Sequence, residues 1–119
     1  MSHLTRETIL RPRPPRYEDV PVPEMATEQD KKPVARIRSL TGSQVDRFIN
    51  SLWIDGKYNR QDYAAKLLVL AWVDEKGQRM FEDSHVVAVG EIDSAVVQRL
   101  AIVAERLSGL QAPEKNAGN

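Results

Sequence analysis

Residues 73–86 read VDEKGQRMFEDSHV. Two acidic residues, a lysine and a glycine stand between the apolar run Leu67–Trp72 (LLVLAW) and the pair Met80-Phe81. A calcium loop of the EF-hand type needs oxygen ligands at alternate positions, a glycine at the sixth and a glutamate at the twelfth. With Asp74 in first place the third is Lys76, a cation where an anion belongs, and the glycine falls fourth. The metal reading fails on charge and on spacing. Asp-Glu-Lys-Gly has instead the chemistry of a tight turn, polar residues followed by a glycine able to take positive φ. Val73 and Met80-Phe81 are then expected to meet across the turn and close against one core.

Working outward from that turn, helical periodicity dominates. A helix is expected from about Arg60 to Trp72, where Tyr63, Leu67, Leu70 and Ala71 share a face that Ala64 and Leu68 widen. A short helix fits from Asp83 or Ser84 to Val89, stopped by Gly90. A long one spans Asp93 to Leu107, with Asp93 or Ser94 as cap. Its stripe is Val96, Val97, Leu100, Ala101, Val103, Ala104 and Leu107, and Gly109 supplies a left-handed stop. Upstream, Thr41 and Gln44 have the spacing of a capping box, and Leu40 can staple onto the first turn. Val45, Phe48, Ile49, Leu52 and Trp53 then recur on one helical face, and the Asp55-Gly56 pair ends that helix. VARIRSL (34–40) carries a weak strand pattern.

Residues 11–33 hold six of the seven prolines. Proline lacks an amide donor and restrains its predecessor, so neither a helix nor a central strand is expected there. The resulting expectation is a mainly helical protein of three to four helices with a short extended segment or hairpin. A flexible proline-rich arm (1–33) precedes a helical domain (34–110), and a disordered tail (111–119) follows. LTRETIL (4–10) fits one helical turn capped by Thr5.

The chemistry on offer is sparse. Lysine plus arginine balance aspartate plus glutamate, 17 against 17, so no global field draws the chain to nucleic acid or an anionic membrane. The arginines at 11, 13 and 16 could mark a nucleic-acid arm, but Glu18, Asp19 and Glu24 follow closely. Cysteine is absent, which excludes disulfides, thiol catalysis and Cys-ligated zinc. His3 and His85 each lack a second ligand at metal spacing. There is no serine with a His-Asp set and no phosphate-cradling glycine loop, so neither an enzyme nor a cofactor is expected. No secretory segment or run of 18 apolar residues is present, which leads to the expectation of a soluble cytoplasmic product.

Several segments, in order, resemble the tail assembly chaperones of long-tailed bacteriophages. They are LTRETIL, VPVPE after an acidic-basic spacer, and IRSLTGSQVDRF (Ile37–Phe48). LLVLAWVDEKGQRMFEDSHVVAVGE (Leu67–Glu91) and VVQRLAIVAERLSGL (Val96–Leu110) complete the set. The resemblance runs from about residue 4 to residue 110. It implies a protein that binds the long, hydrophobic tape measure protein in the host cytoplasm, keeps it soluble during tail tube assembly and is absent from the virion. The tail tube protein would be a second partner, nucleic acid and membrane would not be partners, and a homo-oligomer would be compatible with the role. Such chaperones often exist in a short and a frameshifted longer form, and this chain resembles the short one or the product of a gene without the shift. Phe48, Leu52, Trp53, Trp72, Leu100, Val103 and Leu107 are the candidate partner-binding residues; their alternative is a plain core. A structural tail component and a small nucleic-acid-binding regulator are the competing readings.

Overall fold

The computed structural model describes residues 2–110, and the expected disordered tail lies outside them. The chain is mixed α/β, which overturns the mainly helical expectation. In order it forms α1 (Arg6–Leu10), β1 (Tyr17–Pro21), β2 (Val34–Arg38), α2 (Gly42–Asn50), β3 (Trp53–Ile54) and β4 (Lys57–Tyr58). α3 (Tyr63–Ala71), β5 (Trp72–Val73), α4 (Val86–Gly90) and α5 (Ser94–Leu107) follow. One antiparallel sheet has the order β1-β2-β5, and β3 and β4 make a separate two-stranded hairpin.

The largest correction falls on the proline-rich stretch, where Tyr17–Pro21 form an edge strand instead of part of a flexible arm. Tyr17 to Pro21 pair with Arg38 to Val34, and the ladder extends to Arg16 and Val22 through bonds from Ser39 and to Pro33. Those flanking bonds place residues 16, 18, 20 and 22 toward β2, so 17, 19 and 21 bond outward. Pro21 and Pro23 thus sit where no ladder donor is required, and the veto against proline in a strand does not apply. The same prolines leave this edge few free amides, which protects it from further strand addition. Val20 and Val22 turn into the core, opposite an inner face of β2 made by Ala35 and Ile37.

The second correction lies in LLVLAWV. The apolar run is continuous, so its periodicity does not mark where helix yields to strand. α3 ends at Ala71, and Trp72-Val73 run on as β5, paired with Ile37 and Arg36. This abrupt exit strands helix carbonyls that nothing downstream can bond. Arg38 donates to the Leu70 carbonyl at 2.8 and 3.1 Å, and Arg79 to that of Val69 at 2.8 Å. After β5 comes the turn read from the sequence. Gly77 takes φ +83°, and Asp74 accepts amides from Lys76 and Gln78 at 2.8 and 3.0 Å. Met80 donates back to the Trp72 carbonyl at 2.9 Å, and Phe81 stacks edge-on against Trp72.

α3 is the centre of the molecule, with Ala65 and every residue from Leu67 to Ala71 buried. α5 covers it on one side through Val97, Leu100, Ala101 and Ala104, with Asp93 as its cap, and the sheet lies against α5. The Thr41/Gln44 capping box opens α2 with reciprocal bonds of 2.9 and 3.2 Å. α2 stops at Asn50, earlier than its apolar periodicity suggested, and this termination shapes the candidate site.

Candidate functional site: an exposed aromatic hairpin

Leu52 and Trp53 are neighbours in sequence with opposite fates. Had α2 continued, both would lie on its apolar face. Instead the chain becomes extended, and extended backbone alternates its side chains. Leu52 is 2% exposed and anchors the base of the hairpin in the core, whereas Trp53 is 53% exposed. Asp55 and Gly56 take φ of +53° and +77°, two consecutive left-handed residues, the geometry of a type I′ turn. Trp53 pairs with Tyr58 and Ile54 with Lys57. Trp53 and Tyr58 meet edge to face at 5.6 Å, and the Asn59 amide closes the base on the Leu52 carbonyl at 2.6 Å.

The result is a small rigid projection whose apolar side chains face solvent. Ile54 and Tyr58 are 45% and 49% exposed, and Ile49, one turn back on α2, is 38% exposed. Its footing is well bonded. Lys66 donates to the Ser51 carbonyl at 2.8 Å, and Phe48 packs edge-on to Tyr63 beneath it. Arg60 stacks over the Tyr63 ring at 4.1 Å and reaches the Tyr58 hydroxyl at 3.3 Å. Tyr63 in turn donates to Glu105 on α5 at 2.8 Å. Burial first, and then this bond to a carboxylate, push the Tyr63 hydroxyl up to about 12, so it stays a donor at physiological pH. Arg60 and Tyr63 also open a shallow cleft of about 520 Å³ toward α5, floored by Val97, Ala101 and Ile102.

Of the seven residues singled out from the sequence, the fold brings Trp53 alone to the surface. Phe48, Leu52, Trp72, Leu100, Val103 and Leu107 are all buried, Val103 the least at 8%. The residues that sequence reasoning missed are Ile54 and Tyr58. A signal for them existed, because Asp-Gly flanked by apolar residues is the strongest short-range mark of a hairpin. Read as a helix stop, it concealed the strands on both sides.

Among the described residues, no cluster of three or more His, Asp or Glu side chains has the geometry to hold a metal, and no helix is long and apolar enough to cross a membrane. Four arginines bond carboxylates and are not free for a phosphate backbone: Arg36 pairs with Asp19, Arg79 with Asp83, Arg99 with Glu24 and Arg106 with Glu18. No family model matches the chain, and no curated protein matches it. Among solved structures, the tail assembly chaperone of bacteriophage HK97 superimposes with a TM-score of 0.60 at 20% identity, covering 87% of this chain and 91% of that one. At that identity the likeness is one of architecture: this chain has a fold similar to that of a phage tail assembly chaperone.

Proposed function

We propose that this protein is a tail assembly chaperone of a long-tailed bacteriophage, a non-catalytic assembly factor, and that it holds the tape measure protein soluble through the Trp53 hairpin. Two independent supports converge, the ordered sequence segments and the fold shared with the HK97 chaperone over nearly the whole of both chains. The observation that carries the docking site is the exposed Trp53–Tyr58 pair on one face of the hairpin, with Ile54 exposed on the other. A tape measure helix presents repeated apolar faces, which a rigid aromatic ridge can engage at i, i+3 and i+4 anchors.

Magnitudes suit a transient holder. The half-exposed Trp53 and Tyr58 offer roughly 200 Å² of apolar surface on one face, or about 5 kcal/mol gross at ~25 cal/mol per Å². Association costs at least about 4 kcal/mol, so one hairpin on one apolar face binds weakly. Held together as a homo-oligomer, several hairpins engage one long client at once and hold it more tightly than one does, and each contact can be lost singly as the tube subunits arrive. The role places the protein in the host cytoplasm and outside the finished particle.

Co-expression with the tape measure protein of the same phage tests this reading. Soluble yield should rise and the two should co-purify, while purified virions should contain none of the chain. An insoluble client with nothing co-purifying would overturn it, and presence in virions would favour a structural tail component.

A further inference from the structure

The balanced net charge hides two opposite poles. Residues 2–16 carry four arginines and one carboxylate, Glu7. Residues 80–98 carry four carboxylates, Glu82, Asp83, Glu91 and Asp93, and no lysine or arginine. Each pole adjoins exposed apolar surface. At the basic pole, Leu4, Ile9 and Leu10 are exposed and no residue of α1 is buried. Beside the acidic pole lies the cleft of about 520 Å³ that Arg60 and Tyr63 open toward α5. Ile92, Val97, Ala101 and Ile102 give it an apolar lining, and Ile102 is 59% exposed. Asp62 and Glu105 also line it, and Glu91 and Asp93 stand at its lip, next to Gly90, Ile92 and Ser94. Arg60 is its one cation among the described residues, and it lies over the Tyr63 ring. An apolar helix with a basic rim and an apolar cleft with an acidic rim thus stand on the same chain.

α1 is folded without a seat on its own body. Thr5 caps it by accepting the Thr8 amide at 3.2 Å, and Arg13 turns back to donate to the carbonyls of Thr8 and Ile9 at 2.7 and 3.3 Å. A helix of five residues does not persist in water on such bonds alone; it needs an apolar face packed against something. Its stem holds Pro12, Pro14 and Pro15, which favour stiff, extended backbone. The stem is rooted where Arg16 and Ser39 exchange bonds and the Arg16 guanidinium donates to the Leu107 carbonyl. Arg13, Pro14 and Pro15 pass beside Leu40, Thr41 and Gln44 at the start of α2, whereas the cleft opens among α3, α4 and α5.

We infer that α1 of one copy seats in this cleft of a second copy. Ile9 and Leu10 fill the apolar part. Arg6, one turn before them, and Arg11 pair with no carboxylate among the described residues, and in the complex they meet Asp62, Glu91 and Asp93. Plug and socket are different surfaces, so the contact is heterologous and each half can be disabled separately. Its charges are exposed, which makes it sensitive to salt. The contact uses neither Trp53 nor a client, so its test is separate from that of the proposed function.

Sedimentation of the full chain alone, with no client present, is the experiment. The unaltered chain should associate as its concentration rises to the millimolar range, and added salt should loosen the assembly. I9D/L10D spoils the plug and I102R spoils the socket, and each variant by itself should sediment as a monomer. All three side chains are exposed, so both variants should keep the melting behaviour of the unaltered chain. Mixed in equal amounts, the two should form a one-to-one dimer and nothing larger, because one sound plug then meets one sound socket. R6E/R11E keeps the apolar plug but reverses its charge, and should weaken association by roughly tenfold or more. An unaltered chain that stays monomeric at millimolar concentration would overturn the proposal and leave the cleft to a foreign helix. Association that survives I102R or I9D/L10D, or a mixture that yields no dimer, would also overturn it.

Discussion

The molecule contains two hairpins built on the same local chemistry, an acidic residue leading to a left-handed glycine, and it uses them in opposite ways. In the first, Asp55-Gly56 joins β3 to β4; in the second, Asp74 to Gly77 folds β5 back toward Arg79 and Met80. Each carries a tryptophan on its first strand paired edge-on with an aromatic partner, Trp53 with Tyr58 and Trp72 with Phe81. Trp72 is 7% exposed because β5 is stitched to β2 and continues directly from the buried helix α3. Trp53 stays in solvent because its hairpin adds to no other strand. The local sequence makes the turn in both cases, and whether a sheet edge waits beside it decides between core and surface. This exposed aromatic pair is the candidate contact surface.

The largest effect is expected at Trp72. Trp72→Ala should cost about 3–5 kcal/mol, a large share of the stability of a domain this size, as read by urea unfolding. A loss under about 1 kcal/mol would mean that the second hairpin is not part of the core. Next in size is Gly77→Ala. At φ +83° a side chain is strained, and its Cβ would stand 2.6 Å from the Tyr17 hydroxyl, so the half-exposed Tyr17 ring must swing aside as well. A cost of about 1–3 kcal/mol is expected in the same assay. Gly56→Ala sharpens the contrast, because φ is +77° but nothing lies within 4 Å of the new Cβ. Its cost should stay near 1 kcal/mol and fall on the free hairpin alone, seen as local amide shifts by NMR.

The smallest effect concerns the turn that follows β1, where Glu24 meets Arg99 of α5. The bond from Arg99, reinforced by the backbone amide of Glu24 itself, holds the Glu24 carboxyl down at about 2 against an ordinary 4.5. A depressed carboxylate contributes stability that is fully present above the ordinary value and is lost as pH falls toward the folded one. Hydrogen exchange at the Val22 amide, bonded to Pro33, should therefore accelerate beyond its intrinsic pH dependence between pH 4.5 and 2, and added salt should mimic the effect at neutral pH. The hairpin amide of Asn59 should show neither response.

What was legible in the sequence follows from the reach of each signal. The capping box at Thr41, the stripe of α5, its Asp93 cap and the turn at Gly77 are written within a few residues, and all are present. β1 was hidden because proline excludes a strand only where the ladder needs its amide, and the partner that fixes this phase lies 17 residues away from Asp19, at Arg36. The end of α3 was hidden in an unbroken apolar run, and the arginines that make it tolerable come from β2 and from Arg79. At the candidate site, Trp53 was singled out, but with a face of α2 that it leaves. Six companions chosen for their apolar periodicity are core, because periodicity reports burial and cannot tell a partner's surface from the protein's own.

The measurement that bears most directly on the account is Trp53→Ala beside the unaltered chain, with thermal melting and capture of the tape measure protein read on the same preparations. Losing the edge-on pair with Tyr58 should cost about 1 kcal/mol or less and lower the melting temperature by a few degrees. Capture should fall at least tenfold. Capture that survives the substitution, or that declines only in step with the folded fraction as in Trp72→Ala, would contradict the assignment of this hairpin as the docking surface.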